Sequence, residues 1–455
     1  MFAKINFHDE FYQKLKLLVL PITMQQFMLA LVSATDAIML GAVSQTSLSA
    51  VSLAGQIQFV LNLFISGISA GSGIMAAQYW GKKDAASIEE VMPIALRTNL
   101  IFSGAFTVFA AVAPEVLMRI FTSDPALIES GAVYLRAVSL SYLLCGISQI
   151  YLILLKNTGY ATVSSRISCT AVVMNIICNA ILIYGLLGLP ALGIQGAAYA
   201  TVAARLVELI WSYLETKQSG RVQIIWKKMF RAADAVLTKD FWRYTTPVLG
   251  AALVWGIAYV SYSVIMGHMG SDAVAANSIT TIAKNMLSCL IRGVSGGAGV
   301  LIGNLLGAGE LDKAKVYGGR LTRMAIVVGM TTGGLLMLIS PLIVRFAPLS
   351  ETAAEYLQYM LIFCGCNIMA QSVNTTVLDG IFCAGGDSKF DMKGNLGAMW
   401  CFSVPFGFFA AFVLKWPVMV VYCIVNLDEI VKIPAVYLHY KKYIWVRNIT
   451  VQEEA

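Results

Sequence analysis

Few side chains in this 455-residue sequence could do chemistry, and an apolar setting makes them conspicuous. Asp36 lies in the apolar run that opens at Leu17, about 28 Å along a helix rising 1.5 Å per residue. A charged side chain inside a membrane-spanning helix costs on the order of 2.5 to 3.5 kcal/mol and ordinarily faces a cavity or a partner. Asp36 is therefore either such an intramembrane carboxylate or an interfacial acid near the end of its helix. Asn175 and Asn179, four residues apart, look out from one helix face at about 18 and 24 Å from its start, and Thr201 enters about 15 Å from the opposite side. These depths converge with that of Asp36 on one polar cluster, unless each amide simply bonds a neighbouring helix. Further along stand Lys284 and Arg292 on one predicted helix and Asp428, Glu429 and Lys432 on another. Lys284 and Glu429, at about 15 and 20 Å from the same surface, could meet, whereas Asp428 and Lys432 can pair locally at i, i+4. Lys284 has no local partner, so Glu429 or Asp428 is the expected one, with a place in a substrate cavity as the alternative. Asp379, near the end of its run, is expected at the interface.

None of these groupings suits an enzyme. There is no HExxH sequence and no Ser and His at compatible depth. The nine cysteines fall inside apolar runs without metal-type spacing, and His8, His268 and His439 are scattered. No catalytic residue, metal site or cofactor is expected.

The elements that must position these residues are membrane helices. The composition is 58% hydrophobic and 13% charged, which excludes an ordinary soluble globular chain. Each span needs about 20 mainly apolar residues. Runs of that kind fall at 17–42, 50–79, 92–113, 131–156, 163–187, 191–215, 244–268, 274–305, 317–344, 353–383, 391–413 and 416–440. With the amino terminus inside, eighteen Lys and Arg lie on inner loops, Lys82, Lys156, Lys313 and Lys441 among them. Arg119, Arg345 and Lys415 are nearly all that remains outside. This asymmetry predicts a multi-pass protein with both termini cytoplasmic. It also accounts for the net charge of +7 without nucleic acid. No cleavable leader is expected, because Lys4 to Lys16 mixes acids and bases and the following run is a full span.

The chain repeats itself. At an offset of 226 residues Pro21 meets Pro247, and Gly41, Ala50, Gly67, Ser69, Gly73, Gly81 and Arg97 meet Gly267, Ala276, Gly293, Ser295, Gly299, Gly307 and Arg323. Six spans, an even number, bring the second copy into the membrane the same way up. The expected fold is an all-α integral membrane protein of about twelve helices in two six-helix parallel repeats with a central cavity, a design for alternating access. Residues 1–216 and 244–455 form the bundles. Residues 217–243, rich in Lys, Arg and aromatic residues, form a cytoplasmic basic linker or an amphipathic segment lying on the inner leaflet.

Several motifs carry a resemblance. Pro21, Asp36 and Gly41 are followed by AQYWGKKD from Ala76 to Asp84, GIQGAAYATV from Gly193 to Val202, and GNLLGAGELDKA from Gly303 to Ala314. As an ordered set from Leu17 to Trp445 they resemble the multidrug and toxic compound extrusion (MATE) family. The resemblance implies a secondary antiporter in the bacterial cytoplasmic membrane that exports organic, cationic or amphipathic compounds in exchange for protons or sodium. It implies a coupling carboxylate at Asp36, with sodium admissible there, and an ion-coupling role for Asn175, Asn179 and Thr201. One branch of the family has an acid where Asn179 stands, which leaves the choice of ion open. Flippases of lipid-linked saccharides share the superfamily and are the alternative. The expected partners are a small-molecule substrate and the bilayer, and the chain is expected to be monomeric.

Overall fold

In a computed structural model the structure describes residues 9–231, 234–347 and 349–451; His8 lies outside them. The described residues are helical, with no strand among them. The spanning helices are α1 (Glu10–Val43), α2 (Gln45–Gly81), α3 (Ala85–Val112), α4 (Pro125–Asn157), α5 (Ala161–Tyr184) and α6 (Gly193–Thr216). After them come α7 (Ala235–Gly267), α8 (Ser271–Gly307), α9 (Leu311–Phe346), α10 (Glu351–Phe382) and α11 (Ser388–Val413). The last, α12, is in two pieces, Val418–Val425 and Asp428–Tyr440. Ten of these helices are long and apolar enough to cross a membrane. The other two are α6, which carries Arg205 and Glu208, and the interrupted α12.

Most helices start several residues before the apolar runs do, because polar caps rather than hydrophobicity set their first turns. Asp84, Asp124 and Ser350 each accept a backbone N–H of the turn that follows, opening α3, α4 and α10. Asp124 is followed by Pro125 at the first helical position, where a missing N–H costs nothing.

The backbone divides into two compact units. The first holds Phe27–Trp80 and Asp84–Leu249; the second holds Met1–Gln26, Gly81–Lys83 and Gly250–Ala455. The opening of α1 thus packs with the second half of the chain, and the opening of α7 with the first. The repeated glycines explain how. In the first unit, a Cβ on Gly67 would lie 2.8 Å from the Cα of Leu249, and one on Gly71 would lie 2.6 Å from the Cα of Thr245. In the second, a Cβ on Gly293 would lie 3.0 Å from the Cα of Thr23, and one on Gly297 would lie 2.9 Å from Val19 Cγ2. Thr23 and Leu249 are related by the 226-residue offset, and so are Val19 and Thr245. Each small-residue face therefore receives the corresponding turn of the helix from the other half, at a backbone approach that only glycine permits.

The first unit closes around Leu40, Ile57, Leu61, Tyr142, Ile183 and Ala197. That core joins the C-terminal part of α1 to α2, α4, α5 and α6, and so fixes the helices that carry Asp36, Asn175, Asn179 and Thr201. The second unit has one core around Phe11, Tyr317, Phe382 and Trp445 and another around Ile291, Leu336, Met360 and Tyr422.

Candidate ion-coupling site and a second polar centre

Asp36, half-buried on α1, accepts a hydrogen bond of 2.6 Å at Oδ1 from Asn179 Nδ2. Asn179 Nδ2 also donates to Asn175 Oδ1 at 3.2 Å, and Asn175 Nδ2 donates to Thr201 Oγ1 at 3.4 Å. Thr201 in turn donates to the carbonyl of Ala197, 3.0 Å away. The four residues expected to converge thus form one hydrogen-bonded chain across α1, α5 and α6. Its amide hydrogen bonds end on Asp36, Asn175 and Thr201. Asn179 Oδ1, on a fully buried side chain, is left without a donor. The chain thus holds two acceptors, an orphaned amide oxygen and a half-buried carboxylate. Carboxylate, amide and hydroxyl oxygens are the kind of ligand that hard cations take.

The charges of the second unit are arranged differently from the sequence-based expectation. Lys284 is half-buried and Arg292 exposed, and neither makes an ion pair among the described residues. The expected bridge from Lys284 to Glu429 or Asp428 is replaced by Lys432. Its Nζ lies 2.9 Å from Glu429 Oε1 and 3.6 Å from Asp428 Oδ2. The reason is local: one helical turn places both acids beside Lys432, so no partner from another helix is needed.

Three residues that the sequence did not single out complete this centre. Asn395 on α11 accepts from Lys432 at 3.1 Å and donates to Asp391 at 3.0 Å. Asn374 on α10 donates to Glu429 Oε2 at 2.8 Å and to its backbone carbonyl at 2.6 Å. The spacing of Asp391 and Asn395, four apart like Asn175 and Asn179, was the available signal. Asp379, expected at the interface, falls in the π-helical turn Thr376–Phe382 with its side chain exposed. A further base within the helices, Arg205, pairs with the buried Glu208 one turn away on α6 at 2.6 Å.

The backbone around this second centre is irregular. α10 ends in a π-helical stretch, Thr376–Phe382, two residues after Asn374, and α11 has another, Leu396–Ser403, directly after Asn395. α12 breaks between Val425 and Asp428. There Asn426 donates its side-chain amide to the Tyr422 carbonyl, and its own carbonyl accepts from Asn367. An asparagine that bonds the preceding turn competes with the helix ladder and ends it. The break makes Asp428 and Glu429 the first turn of a new helix, where the exposed N–H dipoles favour acids.

The MatE family model matches residues 21–181 and 247–409, and this chain belongs to that family. The two matches begin at Pro21 and Pro247, the pair that heads the internal repeat. Among curated proteins it is 22% identical over 417 residues to the uncharacterized transporter YisQ of Bacillus subtilis, covering 91% of this chain and 90% of that one. It is 24% identical over 354 residues to a probable multidrug resistance protein NorM of Agrobacterium fabrum, covering 76% and 73%. Among solved structures, a MOP superfamily transporter from Pyrococcus furiosus superposes with a TM-score of 0.86 at 18% identity over 95% of each chain. A MATE structure in complex with MaL6 gives 0.85 at 18% identity over 95% and 96%.

Proposed function

We propose that this chain is an ion-coupled antiporter that exports organic, cationic or amphipathic compounds in exchange for protons or sodium. It would sit in the bacterial cytoplasmic membrane with both termini cytoplasmic, its 1–216 and 244–455 bundles joined by the basic 217–243 linker. The observation that carries this reading is the Asp36 chain: one carboxylate, two amides and a hydroxyl in hydrogen-bonded series, with a buried oxygen left over. Coupling needs a group that exists in two ionic forms during the cycle, and Asp36 is the only carboxyl among those four residues. Several relatives bear the name multidrug resistance protein, which supports drug-like cargo over lipid-linked saccharides. The joints for alternating access would lie where α1 and α7 pass between units, beside Pro21 and Pro247.

Cargo is tested by binding to the purified chain. A cationic dye is expected to bind and a lipid-linked pyrophosphate is not; the reverse result would make the chain a flippase. Cysteines introduced into 217–231 are expected to label only from the cytoplasmic side of inside-out and right-side-out vesicles. Labelling from outside would invert the orientation.

A further inference from the structure

The two polar centres share a motif that the internal repeat does not explain. In the first unit Asn179 spends both amide protons on Asp36 and Asn175 and keeps a buried, unpartnered Oδ1. In the second Asn374, 1% exposed, spends both on Glu429 and likewise keeps a buried, unpartnered Oδ1. Two turns earlier on α10, Asn367, 2% exposed, also keeps an Oδ1 with no partner among the described residues. Residues 179 and 374 are not related by the 226-residue offset, so two unrelated positions have arrived at the same amide-on-carboxylate arrangement. The difference is what sits against the carboxylate. At Asp36 no basic side chain makes an ion pair among the described residues. At Glu429 there is an ammonium.

We propose that Lys432 is a tethered cation. Its ammonium fills in the second unit the kind of oxygen shell that an exchangeable ion enters at Asp36, so that the chain loads one coupling ion per cycle and not two.

The geometry of Lys432 is that of an ion in its shell. Nζ donates to Glu429 Oε1 and Asn395 Oδ1 and has Asp428 Oδ2 at ion-pair distance, 3.6 Å, and the side chain is 5% exposed. Carboxylate and amide oxygens converging on one positive charge are also what a hard monovalent cation recruits. The shell is contributed by α11 and α12 and backed by Asn374 of α10, each helix being interrupted next to the residue it supplies. Interrupted membrane helices with polar groups at the break are a common way to build an ion site. The remaining charges that act on the centre are Asp391, held through Asn395, with Asp379, Lys284 and Arg292. A purely structural ion pair would need neither the amide shell nor the orphaned oxygens.

This inference rests on Asp36 as the exchangeable site, and its test separates the two. Sodium is the probe, and the purified full-length chain is assayed by radiolabelled sodium binding and by thermal unfolding in sodium chloride against equimolar N-methylglucamine chloride. Asp36→Asn is expected to abolish the sodium response. Adding Lys432→Ala to Asp36→Asn is expected to restore one sodium per chain and a sodium-dependent rise in unfolding temperature. Methylammonium should reproduce that rise by replacing the lost ammonium, and a further Glu429→Gln should remove it. If Lys432→Ala does not accumulate, Lys432→Gln keeps the volume and tests the same gain. Sodium binding that persists in Asp36→Asn with Lys432 intact and disappears with Glu429→Gln overturns the proposal. So does a folded Lys432 variant that gains no response to either cation. Failure of Asp36→Asn to change the wild-type ion response, by contrast, counts against the role of Asp36, while the gain at Lys432 remains readable in any background.

Discussion

The centres around Asp36 and Lys432 meet the same difficulty, a carboxylate inside a membrane helix, in opposite ways. Asp36 sits among uninterrupted helices with neutral donors, and the arrangement leaves an oxygen unsatisfied. Glu429 sits at a helix break among π-helical turns and holds a permanent cation from its own helix. The first arrangement is cheap to discharge and recharge, because adding a proton or ion removes an unmet demand. The second is expensive to disturb, because removing either partner strands a charge. The comparison separates a site built to change state from one built to hold it.

The largest expected effect breaks the second centre. Glu429→Ala takes from Lys432 its nearer carboxylate and frees the Asn374 proton that Glu429 Oε2 accepts, a loss commonly worth about 3 to 5 kcal/mol for a buried pair. It should appear as a marked fall in thermal unfolding temperature. Neutralising Lys284 instead should leave stability nearly unchanged, since it makes no ion pair among the described residues.

The exchanged helix segments come next. Gly67→Ala and Gly293→Ala each drive a methyl group into the facing helix, and overpacking of this sort costs about 1 to 3 kcal/mol. Because the contacts are related by the repeat, the two losses should be similar in size. Gly55→Ala, whose added Cβ would meet nothing within 4 Å, serves as the control and should be neutral.

Asn179→Ala removes the donor to Asp36 but also the orphaned oxygen, so the two changes offset each other. A stability change of about 1 kcal/mol or less is expected, with a clear shift in the ion concentration giving half-maximal transport. That split between stability and ion response should be absent at Asn374, where loss of the amide also loosens the Lys432 centre.

The smallest effect lies outside the membrane spans. Asp9 accepts the backbone N–H of Phe11 and pairs with Arg320 at 2.6 Å, and these hold its carboxyl below the usual carboxylate range. With the folded value depressed, its contribution is present above the unfolded value of about 3.9 and is lost as pH falls through the folded one. Asp9→Asn should therefore lower the unfolding temperature slightly at neutral pH, with the difference from wild type disappearing at acid pH.

The same contrast accounts for what could be read from the sequence. Twelve spans, the repeat and the Asp36 cluster were legible because apolar runs and regular helices make depth a simple function of residue number. α5 is unbroken from Ala161 to Tyr184, so Asn175 and Asn179 fell where counting put them. The Lys432 centre was only half legible. Counting from helix ends paired Lys284 with Glu429 by depth, but counting assumes uniform rise, and α10, α11 and α12 are all interrupted near that depth. The i, i+4 spacing of Asp391 and Asn395 was a signal that does not name Lys432 as their partner, and Asn374 gave none, because a single amide in an apolar run looks like any helix-packing residue until its partners are known. The exchange of the α1 and α7 openings was likewise hidden: the repeat located the glycines, but not which helix fills them.

The central claim is that Asp36 alone converts an ion gradient into directed export, and it is tested by comparing uphill with downhill transport in proteoliposomes. The wild-type chain should concentrate a cationic dye against its gradient when driven by a pH gradient or by a sodium gradient, and whichever succeeds names the ion. Asp36→Asn should fold, insert and still let dye equilibrate down its own gradient, yet accumulate none under either ion gradient. Accumulation by Asp36→Asn at the wild-type rate would contradict the account and move the coupling site elsewhere, with Glu429 the first place to look.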